Sequence, residues 1–107
     1  MTVAPENTVH VIGEADPVLR CSIEELRLNG NGLMWVEFTT DPANGNTVAT
    51  TTGGVIENEY YLQGSNLAIR DADFRKAGQY QCRTIFLSQV HMSVELLLLG
   101  GHLYNRI

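Results

Sequence analysis

The sequence predicts an all-β protein, folded as a two-sheet sandwich. Short runs of alternating apolar residues recur along the chain, turns rich in Gly, Asn and Pro separate them, and almost nothing carries helical periodicity. The 107 residues suit one hydrophobic core. With 44% of them apolar, the chain is globular rather than disordered.

Val9-His10-Val11 alternates and meets Gly13, which reads as a short first strand. After Pro17, the residues Leu19, Cys21 and Ile23 share one face of a half-buried strand. Glu24-Glu25-Leu26-Arg27-Leu28 is at most one helical turn, too short to stand alone. Asn29-Gly30-Asn31-Gly32 is a strong turn signal. The next strand, 33–40, carries Leu33, Trp35 and Glu37 on one face and Met34, Val36 and Phe38 on the other. Both faces are mainly apolar, which is unusual for an antiparallel strand with one side in water.

Residues 41–46 form a turn, and the Thr- and Val-rich stretch 47–52 is a strand by propensity. Gly53-Gly54 breaks it, and strands at 55–59 and at Tyr60-Tyr61-Leu62 follow. Leu67-Ala68-Ile69 is a strand with Leu67 and Ile69 inward, and 71–77 is a corner. Strand 78–86 sets Tyr80, Cys82 and Thr84 against Gln81, Arg83 and Ile85. After a tight link at Leu87-Ser88-Gln89, the last strand, 90–99, turns Val90, Met92, Val94, Leu96 and Leu98 inward. Leu96-Leu97-Leu98-Leu99 reads as a buried strand end. The domain is expected to span 1–100, with 101–107 a linker or tail.

The net charge of −5 argues against nucleic acid, which wants a basic patch, and against an anionic membrane surface. No stretch approaches the ~18 apolar residues of a membrane span, so no direct insertion is expected. Met1-Thr2-Val3-Ala4-Pro5 lacks the features of a signal peptide and reads as the start of an excised domain. His10, His91 and His102 are scattered without metal spacing. Asp71-Ala72-Asp73 lacks the glycine and distal glutamate of a calcium loop. No nucleophile–base set, phosphate loop or paired catalytic carboxylates occur. The expectation is therefore no enzyme, no cofactor and no metal. Two cysteines allow one pairing or two free buried thiols.

Taken together, Cys21, Trp35, Leu67-X-Ile69 and Gly78-X-Tyr80-X-Cys82 make the chain resemble an immunoglobulin-superfamily domain over nearly its whole length. The resemblance implies a two-sheet immunoglobulin-like Greek-key β-sandwich with one inter-sheet disulfide, Cys21–Cys82. Trp35 would pack on that bridge, Tyr80 would be the corner tyrosine, and Gly78 would let the corner turn tightly. The bridge would close a loop of about 60 residues, worth about 4 kcal/mol by the chain-entropy model, in an oxidising, extracellular setting. Room for two strands between Trp35 and Leu67 favours the variable type, while the short cysteine spacing keeps an intermediate type open.

The chain departs from the family pattern in two places. Lys76 stands where an Asp is usual, and Glu37 where Arg is frequent, so a charge-reversed Glu37–Lys76 ion pair is expected. No Phe-Gly-X-Gly bulge opens the last strand, and the hairpin before it is short, unlike antigen-receptor chains.

The outward face of the Trp35 sheet is the candidate binding surface. Met34, Val36, Phe38 and Ile85 are the expected apolar anchors, with Gln81 and Arg83 orienting the partner and His91, Ser93 and Glu95 completing the face. The competing expectation is cover by the neighbouring segment 44–54 or by the tail. The function expected is extracellular recognition or adhesion through a protein partner, another immunoglobulin-type domain, with a homodimer as the specific form. Alternatives are innate-type recognition through loops 24–32 and 44–54, and a structural spacer in a multidomain ectodomain.

Overall fold

The computed structural model describes residues 2–12, 15–21, 32–84 and 91–100. Ile85, the segments 24–31 and 85–90, and the expected tail 101–107 lie outside these residues. The described strands are β1 (Thr2–Ile12), β2 (Val18–Leu19), β3 (Leu33–Glu37), β4 (Asn46–Thr50), β5 (Gly54–Val55), β6 (Tyr60–Gln63), β7 (Asn66–Ile69), β8 (Gly78–Thr84) and β9 (His91–Gly100). They form a six-stranded sheet in the order β1-β9-β8-β3-β4-β5 and a three-stranded sheet in the order β2-β7-β6.

Alternation along each strand divides the residues between the two faces. Leu33 and Trp35 of β3, Tyr80 and Cys82 of β8, and Met92, Val94 and Leu96 of β9 point inward and are buried. From the other sheet, Leu19, Leu67 and Ile69 meet them in one core with Val48 and Tyr60. The antiparallel pairs Trp35↔Cys82 and Cys82↔Met92 place the centre of that core on β8.

The first strand is longer than its pattern suggested. β1 runs parallel to β9 over its whole length, and the register shifts between Val3 and Glu6, around Pro5. Proline has no N–H to donate, so it is tolerated on an edge strand or at a bulge. Pro5 is at both. β9 also outruns β8. Gly78 pairs with Leu96, and the four residues after Leu96 pair with β1 at Val9, His10, Val11 and Ile12.

The turn after β3 settles the two-faced apolar character of that strand. Gly45, with φ at +78°, lies so close to Val36 and Phe38 that a Cβ there would stand 2.5 Å from Val36 Cγ1 and 2.7 Å from Phe38 Cε1. Val36 is 3% exposed as a result. The second apolar face of β3 is thus partly an internal packing surface under its own turn.

Candidate protein-binding face

The fold signature holds the face in place. Cys21 and Cys82 are disulfide-bonded with their Cα atoms 6.0 Å apart, linking the two sheets. Beside them Trp35 is fully buried, and its indole N–H donates to the Ser65 carbonyl at 2.8 Å. The Tyr80 hydroxyl donates to the Lys76 carbonyl at 2.8 Å, across a 3-10 turn, Phe74–Lys76, capped by the Asp73 carboxylate. Burial raises the Tyr80 phenol far above its ordinary range, so it stays a neutral donor. Tyr60 meets it edge to face, centroids 6.4 Å apart, and burial pushes the Tyr60 phenol up to about 12. Gly78 opens β8 at φ +138°, and a Cβ there would press on Thr39 Cγ2 at 3.1 Å.

The expected Glu37–Lys76 pair does not form. Glu37 is an inward position, 2% exposed, and its carboxylate turns back onto its own chain. Oε1 accepts from the Thr39 and Thr40 N–H groups at 2.8 and 3.0 Å and from the Thr39 hydroxyl at 3.2 Å, while Oε2 accepts from the Thr40 hydroxyl at 2.7 Å. Burial opposes its ionisation, but the hydrogen bonds from Thr40 and Thr39 outweigh it and hold the carboxyl below its ordinary range. Lys76 instead bridges to Glu59 and lies 5.3 Å from the Tyr60 ring centroid. The two-residue Thr-Thr step after Glu37 is a local anion cradle, which makes a distant cation unnecessary.

The opposite side of the same strands is the candidate face. Register sets it out in rows. Met34, Arg83 and His91 form one row. Val36, Gln81 and Ser93 form the next, and Gln79 with Glu95 the third, beside Phe38, whose N–H donates to the Gln79 carbonyl. Arg83 donates to Gln81 Oε1 at 2.5 Å, while its Nε is buried without a partner. Gln79 Nε2 donates to Ser93 Oγ at 3.2 Å. Met34, Phe38, Gln81, Arg83 and His91 are half-buried and reach this surface, whereas Val36 does not. Val36 is not the exposed anchor its position in the strand suggests, because the 41–45 turn covers it.

Residues beyond the expected set also reach the surface. Val9, Leu97 and Leu99 are 60%, 40% and 40% exposed, with Val9 directly opposite Leu97. The leucine run is not a uniformly buried strand end. Leu96 is buried and Leu98 partly so, while the two between and after them face out. This follows the inward alternation expected of the strand at Leu96 and Leu98, and not the reading of the whole run as a buried end.

No protein-family model matches the chain, and no curated protein does. Solved structures do. The first immunoglobulin domain of Dpr11, crystallised bound to DIP-gamma, superposes with a TM-score of 0.69 at 18% identity, covering 88% of this chain and 98% of that one. The RIG-5 IG1 homodimer gives 0.63 at 18% identity over 87% and 89%. The extracellular domain of the voltage-gated sodium channel beta4 subunit, described as a parallel homodimer with a role in cell-cell adhesion, gives 0.65 at 11% over 91% and 92%.

The chain has the immunoglobulin fold. Its variable-type form follows from β4 and β5, which extend the sheet beyond β3 as the extra strands of that type do. Within this immunoglobulin domain, a shallow open depression of about 490 Å³ lies against Val55, Asn58, Tyr60, Tyr61 and Arg70. Its cation is already engaged. Arg70 stacks 4.5 Å from the Tyr61 ring centroid and donates to the Asn58 and Tyr60 carbonyls. Among the described residues no His, Cys, Asp and Glu gather as metal ligands, and no helix is long and apolar enough to cross a membrane.

Proposed function

We propose that this domain is an extracellular recognition and adhesion module. It binds a second immunoglobulin-type domain through the outer face of β3, β8 and β9, and the pairing of two copies is its specific form. The observation that carries this reading is the face itself. A strand set whose inner side is fully packed presents Met34 and Phe38 beside Arg83, Gln81, His91 and Glu95 on its outer side. Exposed apolar anchors set among polar groups are how protein interfaces are built. The structural neighbours that crystallise as IG1 homodimers or as an IG1 complex support the same reading. The inter-sheet disulfide supports an oxidising, extracellular setting.

Sedimentation over a concentration series tests it. The wild-type domain is expected to self-associate, and Phe38→Asp to leave the fold intact and weaken association by about tenfold or more, as for an anchor in an interface. A folded Phe38→Asp protein with unchanged association overturns the assignment of the face.

A further inference from the structure

We infer that two copies meet face to face about a two-fold axis that crosses β8 and β9 at the Gln81–Ser93 pair, so that Arg83 of each copy pairs with Glu95 of the other. This rests on the reading that the face pairs copies of the chain, and adds the geometry and the charge code of that pairing.

Among the described residues of the outer side of β3, β8 and β9, the permanent charges are Arg83 at one end and Glu95 at the other. Arg83 is directly opposite His91, Glu95 is opposite Gln79, and the neutral Gln81–Ser93 pair lies midway between them. The two rows are separated by four residues of strand, about 14 Å, which is too far for Arg83 and Glu95 to pair within one chain. Neither enters an ion pair among the described residues. Among the described residues Arg83 bonds to Gln81, and its Nε is buried without a partner.

A face-to-face homodimer places its two-fold axis in the plane of the interface, and each contact then occurs twice. Two families of axis are available. An axis running along the strands puts each row against itself, with Arg83 and His91 facing Arg83 and His91, and Glu95 facing Glu95. An axis crossing the strands at the middle row exchanges the ends and sets Arg83 against Glu95 at both ends. The first arrangement stacks like charges and the second neutralises them. Juxtaposed like charges cost enough to reject a docking mode, so the charge pattern selects the crossing axis. Sheet faces pack about 10 Å apart, a gap that an arginine and a glutamate span together. The same operation brings Met34 of one copy over the Gln79–Leu97 end of the other, where the exposed apolar residues of β9 begin. For a chain carrying a net charge of −5, a locally neutral, self-complementary face is also what permits two copies to approach.

Charge reversal tests this. Arg83→Glu and Glu95→Arg are each expected to weaken self-association by about tenfold or more, since each sets two like-charge contacts in the dimer. Mixed one to one, the two variants form a heterodimer in which both contacts are opposite in charge, and affinity returns to near the wild-type value. The double variant R83E/E95R also self-associates. Single variants that associate like wild type, or a mixture no tighter than either variant alone, overturn the axis, even where Phe38→Asp still abolishes association and the face stands. A wild-type domain that stays monomeric at every concentration overturns both readings. Arg83→Gln and Glu95→Gln serve if a reversed variant fails to fold. Each should weaken association with no rescue on mixing, and wild-type affinity in both overturns the proposal.

Discussion

The two sides of β8 follow opposite rules. On its inner side, Tyr80, Cys82 and Thr84 are fully buried and tied to the disulfide and the core. On its outer side, Gln79, Gln81 and Arg83 bond to near neighbours on the same surface, and one arginine nitrogen is left without a partner. Adjacent residues of one strand therefore differ in what they determine. Changes on the inner side should unfold the domain without selecting partners. Changes on the outer side should alter association without unfolding it.

The largest break expected on the inner side is loss of the disulfide. Replacing Cys21 and Cys82 together by Ala should cost about 4 kcal/mol of unfolding free energy, measured by denaturant titration, since the bridge closes a loop of some 60 residues. Loss of less than about 1 kcal/mol would mean that Trp35 and the surrounding core hold the sheets by themselves.

Glu37→Gln comes next, at about 2 kcal/mol, because charge-assisted hydrogen bonds to Thr39 and Thr40 are lost at a buried site. This one carries a pH signature. The folded carboxyl titrates below its ordinary value of 4.5, so the unfolded chain takes up the proton first as pH falls. The contribution is therefore complete above about pH 4.5 and is lost as pH drops through the folded value. Stability profiles of wild type and Glu37→Gln should be separated near neutrality and converge in acid. Parallel profiles would show that the carboxylate charge contributes nothing.

Tyr80→Phe should cost about 1 kcal/mol, leaving the Lys76 carbonyl without its donor while the ring packing survives. The smallest effect belongs to the outer side. Arg83→Ala should change unfolding free energy by no more than about 0.5 kcal/mol, which is the range of surface substitutions, while weakening self-association in the same preparation. A stability loss as large as that of Tyr80→Phe would erase the contrast between the two sides.

Much of this was legible in the residues. Period-two alternation placed Leu33, Trp35, Tyr80, Cys82, Met92, Val94 and Leu96 inside, and the immunoglobulin resemblance carried by Gly78, Tyr80 and Cys82 implied the tyrosine corner. Alternation is a local property of the strand and survives whatever it packs against. Other features depended on the third dimension. Val36 has the pattern of an exposed residue, yet the backbone at Gly45 lies over it. Lys76 was matched with Glu37 by analogy of position, but Glu37 found donors two and three residues on, and Lys76 reached Glu59 on the neighbouring segment. The stretch Ala4-Pro5-Glu6-Asn7 has little strand propensity of its own, and it becomes strand because β9 offers it a parallel edge.

By itself, then, the sequence determined the sandwich and the inward set, because those follow from periodicity, while the cysteine pair was implied by the resemblance to immunoglobulin domains. The tertiary structure alone decided which apolar residues of the second face stay exposed, which acid holds Lys76, and that Arg83 and Glu95 lie on opposite sides of the neutral Gln81–Ser93 row. Long polar side chains choose among partners that the strand pattern does not specify, and the choice depends on which turns and strands are brought within a few ångströms.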